Sequence, residues 1–404
     1  MRLEAFALLA AVAMATPVKA QISNDVVRIG VLNDQSGVYE DITGRKAVEA
    51  AKMAVEDFGG RVLGKPIEIV TADHQNKTDI ATSIVRKWID IDHVDAIADV
   101  TGSGVALAVN ELLRDKNTVM IAASAATSDL TGKACSPTTV QFSYDTYSLA
   151  KSTGTEILKQ GGDSWFFLTA DYAFGYALER DTSDFVKRGG GKIIGSVRAP
   201  LGTTDYSSFL LQAQASGAKI IGLATAGGDT ITAIKQAAEF GLQRAGQRLG
   251  GLLVYVNDVD AVGLSTAQGL MLTTSFYWDV NDETRAWTKR FLERTGDCRP
   301  PNMLQVGLYS GILHYLKAVQ AAGTDDARAA SKMMRELPVN DFYNKNVRLR
   351  EDGRVLHDMY LVQVKSPAES KYRFDYYKVL SRVPGEQAYR PISEGNCPIA
   401  AHTR

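Results

Sequence analysis

Short apolar runs alternate with helix-like segments along most of this chain, and that alternation restricts the possible folds more than any other feature. Nearly continuous apolar runs are typical of parallel strands that helices cover on both faces. The first series predicts strands at 27–32, 67–72, 95–100 and 119–123, with helices from about 44, at 80–91 and at 104–116. A second series repeats the pattern, with strands at 165–170, 192–197, 220–226 and 252–256 and helices at 173–188, 206–216 and 229–240.

The length of 404 residues suits two domains better than one very large sheet. The two series therefore predict an α/β fold with two doubly wound, parallel-sheet lobes. The later elements have to dock on one of these sheets. They are a strand at 270–274, helices at 284–295, 302–322 and 326–336, and a strand pair at 358–364 and 373–380.

Residues 1–20 have the features of a signal peptide. Arg2 precedes a short apolar stretch at 5–15, and small residues around 18–20 are typical of a cleavage site. We expect cleavage after Ala20 and export as a soluble protein, without a lipid anchor, because no cysteine stands at the cleavage site. A buried N-terminal helix is the disfavoured alternative, since a proline and a lysine follow the apolar stretch at once.

Charge and cysteine content narrow the function classes. The chain has 45 basic and 46 acidic residues, a balance with no general attraction for nucleic acid or anionic membranes. The three cysteines fit an oxidising compartment with at most one internal disulfide. Cys135 and Cys397 both lie in loop-like, proline-containing sequence, which favours a bond between them and leaves Cys298 free. The sequence alone keeps other pairings open.

Motifs for catalysis are incomplete. The stretch 59–65 has phosphate-loop glycines, but Pro66 stands where Ser or Thr is needed. TGSG at 101–104 is followed by Leu107 instead of a third small residue, and 263–267 lacks the last glycine of a nucleophile elbow. The five histidines show no metal-ligand spacing. We therefore expect no enzyme, no metal and no cofactor.

The loops at the carboxyl ends of the predicted strands instead suit the binding of a small anion. Backbone N–H groups and hydroxyls recur there at helix starts, and aromatic residues lie nearby to form a side wall. Each residue alone equally fits helix capping or core packing; their recurrence at matching strand ends favours a site. The candidates are Tyr39, Gly102, Ser103, Ala125, Ala126, Thr127, Tyr172, Phe174, Gly228, Asp229, Asp258 and Tyr277.

Several motifs make the chain resemble the type I periplasmic binding proteins of the leucine/isoleucine/valine-binding family of ABC importers. They are VRIGVLNDQSGVY, GRKAVEAAKMAVEDF, IAASAATSDLTGKACSP, WFFLTADYAFGYALERD, GGDTITAIKQAAEFG and SFYWDVNDETRAWTKRF. The resemblance implies two lobes joined by three crossovers, near 143–146, 275–279 and 349–358. Lobe 1 would comprise 25–144 and 279–350, lobe 2 would comprise 145–278 and 356–384, and a tail at 385–404 would return to lobe 1.

The resemblance also implies roles for individual residues. Ala125, Ala126 and Thr127 match the family's carboxylate-binding loop well. Phe174 keeps the ring of the family's tyrosine but lacks the hydroxyl. The acid that would take a ligand ammonium falls near Asp258, out of strict register, which weakens the expectation of an amino-acid ligand.

We therefore expect a monomeric periplasmic protein that captures a small carboxylate between two lobes and delivers it to the membrane permease of an ABC importer. The ligand class stays open between an aromatic or other organic acid and an amino acid. The alternatives are a strictly branched-chain amino-acid-binding protein and a periplasmic ligand sensor without a transport role. No nucleic-acid partner is expected.

Overall fold

The computed structural model describes residues 21–400, so the predicted leader at 1–20 lies outside the described residues. In the described part, the strands are β1 (Val27–Asn33), β2 (Arg61–Val62), β3 (Lys65–Asp73), β4 (Ala96–Asp99), β5 (Val119–Ala122), β6 (Thr139–Gln141), β7 (Ser164–Ala170), β8 (Lys192–Ala199), β9 (Ile220–Ala224), β10 (Arg248–Gly251), β11 (Met271–Thr274), β12 (Met359–Val364) and β13 (Tyr377–Val383). The helices there are α1 (Gly44–Phe58), α2 (Thr78–Asp90), α3 (Ser103–Leu113), α4 (Thr146–Leu149), α5 (Thr155–Lys159), α6 (Ala173–Arg188), α7 (Ser207–Ala215), α8 (Gly228–Glu239), α9 (Val256–Val262), α10 (Leu264–Ala267), α11 (Asp282–Thr295), α12 (Met303–Ala322), α13 (Ala327–Glu336) and α14 (Gly385–Ala388).

The first lobe is built on a six-stranded sheet in the order β2-β3-β1-β4-β5-β6. Its neighbouring strands are parallel except in the β2–β3 hairpin, which is formed by the glycine-rich stretch that resembles a phosphate loop. Successive residues of β1 face opposite layers: Val31 packs with α1 and α12, and Leu32 packs with α2 and α3. Both faces of this sheet are covered, as the continuous apolar runs predict.

The second lobe contains a parallel sheet in the order β10-β9-β7-β8 and an antiparallel sheet in the order β11-β12-β13. The two sheets share one core, in which Leu168 of β7 and Leu223 of β9 pack in the same apolar cluster as Leu272 of β11 and Val362 of β12. The late strand pair therefore docks on the second lobe, whereas α11, α12 and α13 contribute to the core of the first.

Two parts of the sequence prediction were wrong. A strand was predicted at 252–256, but β10 comprises Arg248–Gly251 and the apolar run after it leads into α9. A β-carbon on Gly250 would lie 3.2 Å from the Trp165 ring, so this strand needs small residues and carries little apolar signal. The segment from 123 to 164, left without elements, contains β6, α4, a π-helical stretch at 150–154 and α5.

Three segments connect the lobes, after β6, after β11 and before β12. The third is tied to the first by Arg354, which is fully buried and donates from Nη1 to the carbonyl of Tyr144 at 2.9 Å. The C-terminal tail is covalently attached to the first lobe because Cys135 and Cys397 form a disulfide, as the sequence favoured. Cys298 is free and exposed.

Candidate functional site

A narrow cavity with a free volume of about 20 Å³ lies between the carboxyl ends of the strands of the two lobes. Open parallel sheets place ligands at this position, because the loops there are free of the strand ladder and helix N-termini face them. The cavity is lined by Tyr39, Ile42, Thr101, Gly102, Ser103, Ser124, Ala126, Tyr144, Tyr172, Phe174, Ala226, Leu253 and Tyr255. No lining residue carries a charged side chain.

The first lobe contributes hydrogen-bond donors at the start of α3. Asp99, the last residue of β4, and Val100 have φ of +73° and +52°, and Gly102 follows at +86°, so the backbone turns sharply into the helix. The φ of Gly102 favours glycine, and a β-carbon there would also lie 2.1 Å from Oδ1 of Asn76, whose side chain would have to move. The N–H groups of Ser103 and Ala126 have no hydrogen-bond partner among residues 21–400 and lie at the cavity wall.

The hydroxyl of Ser103 is positioned by its neighbour. The N–H of Thr127 donates to Ser103 Oγ at 3.1 Å, so the serine's own hydrogen remains available to donate. Together with the N-terminal dipole of the eleven-residue helix α3, this arrangement favours an anion at the wall of the first lobe.

Aromatic rings from both lobes form the rest of the wall. The opening loop is shaped by Asp34, whose carboxylate accepts the N–H of Gly37 at 2.7 Å and of Tyr39 at 3.0 Å. The Tyr39 hydroxyl meets that of Tyr172 from the second lobe at 2.5 Å. Burial raises the pKa of both hydroxyls above the ordinary value, so both remain neutral hydrogen-bonding groups.

A second pair of hydroxyls, those of Tyr144 and Tyr255, meets at 3.2 Å. Burial also raises the pKa of each of these hydroxyls. Phe174, which lies 5.9 Å from the Tyr172 ring between centroids, adds a purely apolar surface. The wall is thus five aromatic rings, with neutral hydroxyls on four of them.

Acidic side chains lie close to the cavity but do not line it. Asp99 accepts from Asn33 and Ser124 and is fully buried, and burial raises its pKa to about 6. Asp229 accepts the N–H of Gly202, and burial raises its pKa to about 6 as well. Asp258 accepts the N–H of Tyr255 at 2.9 Å, and burial raises its pKa to about 7.

A periplasmic binding protein family model matches residues 26–371. The chain belongs to the periplasmic binding proteins. Members of this family bind solutes for ABC transporters and are not enzymes. Membership implies a periplasmic location, although cleavage of the leader after Ala20 stays a prediction.

Named relatives agree with the leucine/isoleucine/valine-binding type. This periplasmic binding protein is 50% identical to a periplasmic binding protein from Burkholderia mallei, with a TM-score of 0.90 and coverage of 93% of this chain and 99% of that one. It is 42% identical to a branched chain amino acid ABC transporter periplasmic ligand-binding protein from Burkholderia xenovorans LB400, with a TM-score of 0.81 and coverage of 92% and 99%. It is 26% identical to Leu/Ile/Val-binding protein homolog 6 from Brucella melitensis, over 74% of this chain and 77% of that protein.

The fold is also shared with a solute binding protein from R. palustris that was solved in complex with benzoate. The identity is 20%, the TM-score is 0.78, and the match covers 89% of this chain and 97% of that one. At this identity the likeness shows the fold alone.

The sequence-based candidates divide into two groups in this periplasmic binding protein. The cavity brings together Tyr39, Gly102, Ser103, Ala126, Tyr172 and Phe174. The others lie outside the lining: Ala125, Thr127, Gly228, Asp229, Asp258 and Tyr277. Among these, the Thr127 hydroxyl accepts the N–H of Asp129, and the Tyr277 hydroxyl donates to the carbonyl of Phe374.

The most important residues missed by the sequence prediction are Tyr144 and Tyr255. Tyr144 lies at the first crossover, in a segment without predicted elements, so nothing in the local pattern indicated it. Tyr255 lies next to the end of the apolar run at 252–256 that was interpreted as a strand, and this place near a strand end of the second series was an available signal.

The lobes of this periplasmic binding protein are closed on the cavity. Gly227, just before α8, has a φ of +58°, and a β-carbon there would lie 3.1 Å from the carbonyl oxygen of Val38 in the first lobe. At the rim, Ser128 of the first lobe donates to Asp181 on α6 at 2.7 Å. Residues 21–400 contain no cluster of His, Cys, Asp and Glu that could hold a metal ion, and none of their helices is both long and apolar enough to cross a bilayer.

Proposed function

We propose that the protein captures a small aromatic carboxylate in the cavity between its lobes and delivers it to the permease of an ABC importer. The observation that carries this proposal is the composition of the wall, which has anion-binding N–H groups on one side, five aromatic rings around it and no acidic side chain. A carboxylate matches the donors of Ser103 and Ala126, and a flat ring matches the aromatic wall.

The absence of a lining acid argues against an amino acid. A buried ligand ammonium needs an ionic partner, because an unpaired charge in an apolar cavity is costly. Asp229 and Asp258 are candidates named from the sequence, but each is bonded to a backbone N–H and has a raised pKa. A carboxylic acid without an ammonium requires no such partner.

The free volume of the cavity is only about 20 Å³ in this closed form, so a ligand with one ring has to enter with opening of the lobes and displacement of the hydroxyl pairs. A one-ring aromatic acid such as benzoate has about nine heavy atoms. Micromolar affinity requires roughly 8 kcal/mol, or under 1 kcal/mol per heavy atom, within the usual range for small ligands.

A branched-chain amino acid is the second candidate, favoured by the names of the relatives at 42% and 26% identity. In that case the ligand ammonium would have to be met by neutral tyrosine hydroxyls, or by Asp258 after a rearrangement of the Tyr255 backbone.

A thermal-shift screen of the exported protein tests the two candidates. Benzoate, 4-hydroxybenzoate and 3-phenylpropanoate would be compared with leucine, isoleucine and valine. A ligand at 100 times its Kd adds about 2.7 kcal/mol of stability, and we expect this response only with aromatic acids. Ser103→Ala should weaken their binding about tenfold, whereas Asp258→Asn should leave it unchanged. A response to leucine that Asp258→Asn abolishes would establish the amino-acid alternative.

A further inference from the structure

A buried carboxylate stands directly behind the wall of the first lobe. Asp99, the last residue of β4, is fully buried, and its side-chain partners within residues 21–400 are both neutral. One oxygen, Oδ2, accepts from Nδ2 of Asn33 at 3.0 Å, and the other, Oδ1, accepts the hydroxyl of Ser124. Ser124 lines the cavity, whereas Asp99 and Asn33 do not. The carboxylate can therefore act on a ligand only through Ser124.

The direction of the bond between Asp99 and Ser124 follows from the chemistry of the two groups. Burial raises the pKa of Asp99 to about 6, so at pH 8 this group is ionised and can only accept. A serine hydroxyl has a single hydrogen, which here points to the carboxylate. The oxygen of Ser124 then meets a ligand with its lone pairs, as an acceptor. Ser103 is the opposite case, because it accepts the N–H of Thr127 and keeps its hydrogen for a ligand.

Neighbouring groups fix this arrangement. Nδ2 of Asn33 also donates to the carbonyl of Gly44 at 2.8 Å, and Oδ1 of Asn33 accepts from Gln35 at 3.0 Å. The amide of Asn33 cannot turn over without losing both bonds, so its NH2 group always faces Asp99. The N–H of Ser124 donates to the carbonyl of Asp99 at 3.1 Å and adds a backbone tie. All of these residues belong to the first lobe, so the arrangement needs no contact with the second.

We propose that Asp99 is a positioning residue, which makes Ser124 an acceptor for a hydroxyl beside the carboxylate of the ligand. The inference rests on the proposed function, because that carboxylate binds at the start of α3 and at the N–H of Ala126, two residues after Ser124. The acceptor oxygen repels a carboxylate oxygen, but a hydroxyl on the adjoining carbon offers the hydrogen that it lacks. The ligand class is therefore an aromatic acid with a hydroxyl on the carbon that bears the carboxylate.

Calorimetry with mandelate and phenylacetate tests the proposal, because the two acids differ only by this hydroxyl. The wild-type protein at pH 8 should bind the better enantiomer of mandelate about fivefold to tenfold more tightly than phenylacetate. Asp99→Asn should abolish or reverse that preference. The oxygen of the new amide has to face Asn33, so its NH2 group donates to Ser124 and turns the serine hydrogen towards the ligand. Asparagine tolerates the φ of +73° at this position, so the variant should fold.

Two further variants separate positioning from a general effect on the fold. Ser124→Ala removes the acceptor oxygen itself and should also lose the preference for mandelate, and adding Asp99→Asn to it should change nothing further. Asp258→Asn is the matched control, because it changes another buried acid beside the cavity whose partner is a backbone N–H. This variant should keep the preference of the wild type.

The pH dependence supplies a readout that a structural role alone would not change. Between pH 8 and pH 5 the wild type should lose its preference for mandelate, because a protonated Asp99 donates to Ser124 as the amide does, whereas Asp99→Asn should show no such change. Asp229 and Asp258 also titrate in this range, but Asp99→Asn retains both, so the comparison cancels their effect. Tyr144, whose pKa the charge of Asp99 helps to raise, stays neutral throughout.

The outcomes distinguish this inference from the proposed function. Equal affinities of the wild type for mandelate and phenylacetate, or an unchanged preference in Asp99→Asn, would overturn the inference and leave the proposed function in place. Phenylglycine carries an ammonium where mandelate has its hydroxyl. Tighter binding of phenylglycine than of mandelate, or no binding of any aromatic acid, would refute the proposed function and this inference with it.

Discussion

Asp181 should control how firmly the lobes close. It lies on α6 of the second lobe, is 4% exposed, and accepts from Ser128 of the first lobe at 2.7 Å and from Thr146 at the first crossover at 2.6 Å. Arg390 of the tail lies 3.7 Å from the same carboxylate. Because the tail is bonded to the first lobe by the disulfide, only the contacts with Ser128 and Arg390 depend on closure.

Asp181→Asn keeps the shape of the side chain but removes its charge. A hydrogen bond to a charged group contributes about 1.5–3 kcal/mol and one between neutral groups about 0.5–1.5, so the contact with Ser128 loses about 1 kcal/mol. The ion pair with Arg390, at 3.7 Å, contributes up to about 1 kcal/mol, which the substitution also removes. Two contacts give about 2 kcal/mol, and a ligand that binds only the closed form should then bind about 30-fold more weakly. Calorimetry with the best aromatic acid from the screen measures this change.

Asp184→Asn is the control for this prediction. Asp184 lies one turn further along α6, is exposed, and makes no hydrogen bond or ion pair with any residue in 21–400. The control should bind like the wild type. Equal Kd values for Asp181→Asn and Asp184→Asn would refute the assignment of Asp181 to closure, and small-angle scattering would show whether the ligand still compacts each variant.

Three further predictions concern stability and fit. Replacing Cys135 and Cys397 by serine opens a loop of 262 residues and should lower the free energy of unfolding by up to roughly 5 kcal/mol on the chain-entropy model, measured by urea unfolding. The folded pKa of Asp258 is raised to about 7, so this group destabilises the fold progressively as the pH rises from about 4 to 7. Asp258→Asn should remove that slope, with a gain of up to about 4 kcal/mol at pH 8 and almost none at pH 4. Gly227→Ala should weaken ligand binding several-fold by forcing the lobes apart, whereas Gly217→Ala, at a similar φ of +64° with open space around it, should cost stability only.

The parallel strands were predictable because each is a nearly continuous apolar run in a chain whose helices bury one face. β1, β3, β4, β5, β7, β8 and β9 were all indicated in this way. β6, which has three residues, and β10 were not. Gly250 of β10 packs against Trp165, and the apolar signal falls on residues 252–255, which are buried for a different reason. Leu253 and Tyr255 line the cavity, and this run leads into α9.

Residues of the candidate site were predictable where the residue type and its place at a strand end are enough to indicate a role in binding, as with Ser103 before α3 and Tyr39 after β1. It was not predictable where the position depends on the assembly of two lobes. Tyr144 comes to the cavity because Arg354, more than two hundred residues later, holds its carbonyl. Asp258 looked like a ligand group from the sequence, yet its carboxylate bonds the N–H of Tyr255 instead of facing the cavity.

The contacts between the lobes are of two kinds, charged contacts at the rim and neutral contacts in the interior. This difference leads to a final prediction. Charged contacts such as that of Asp181 lie at the rim and touch no cavity wall, so weakening them should reduce the affinity for every ligand by the same factor. The interior contacts are neutral hydroxyl pairs, such as Tyr39 with Tyr172, which a ligand can replace at little cost. Tyr172→Phe should therefore change the ranking of ligands, whereas Asp181→Asn should preserve it. A calorimetric series in which Asp181→Asn reorders the aromatic acids would show that rim and interior are not separable.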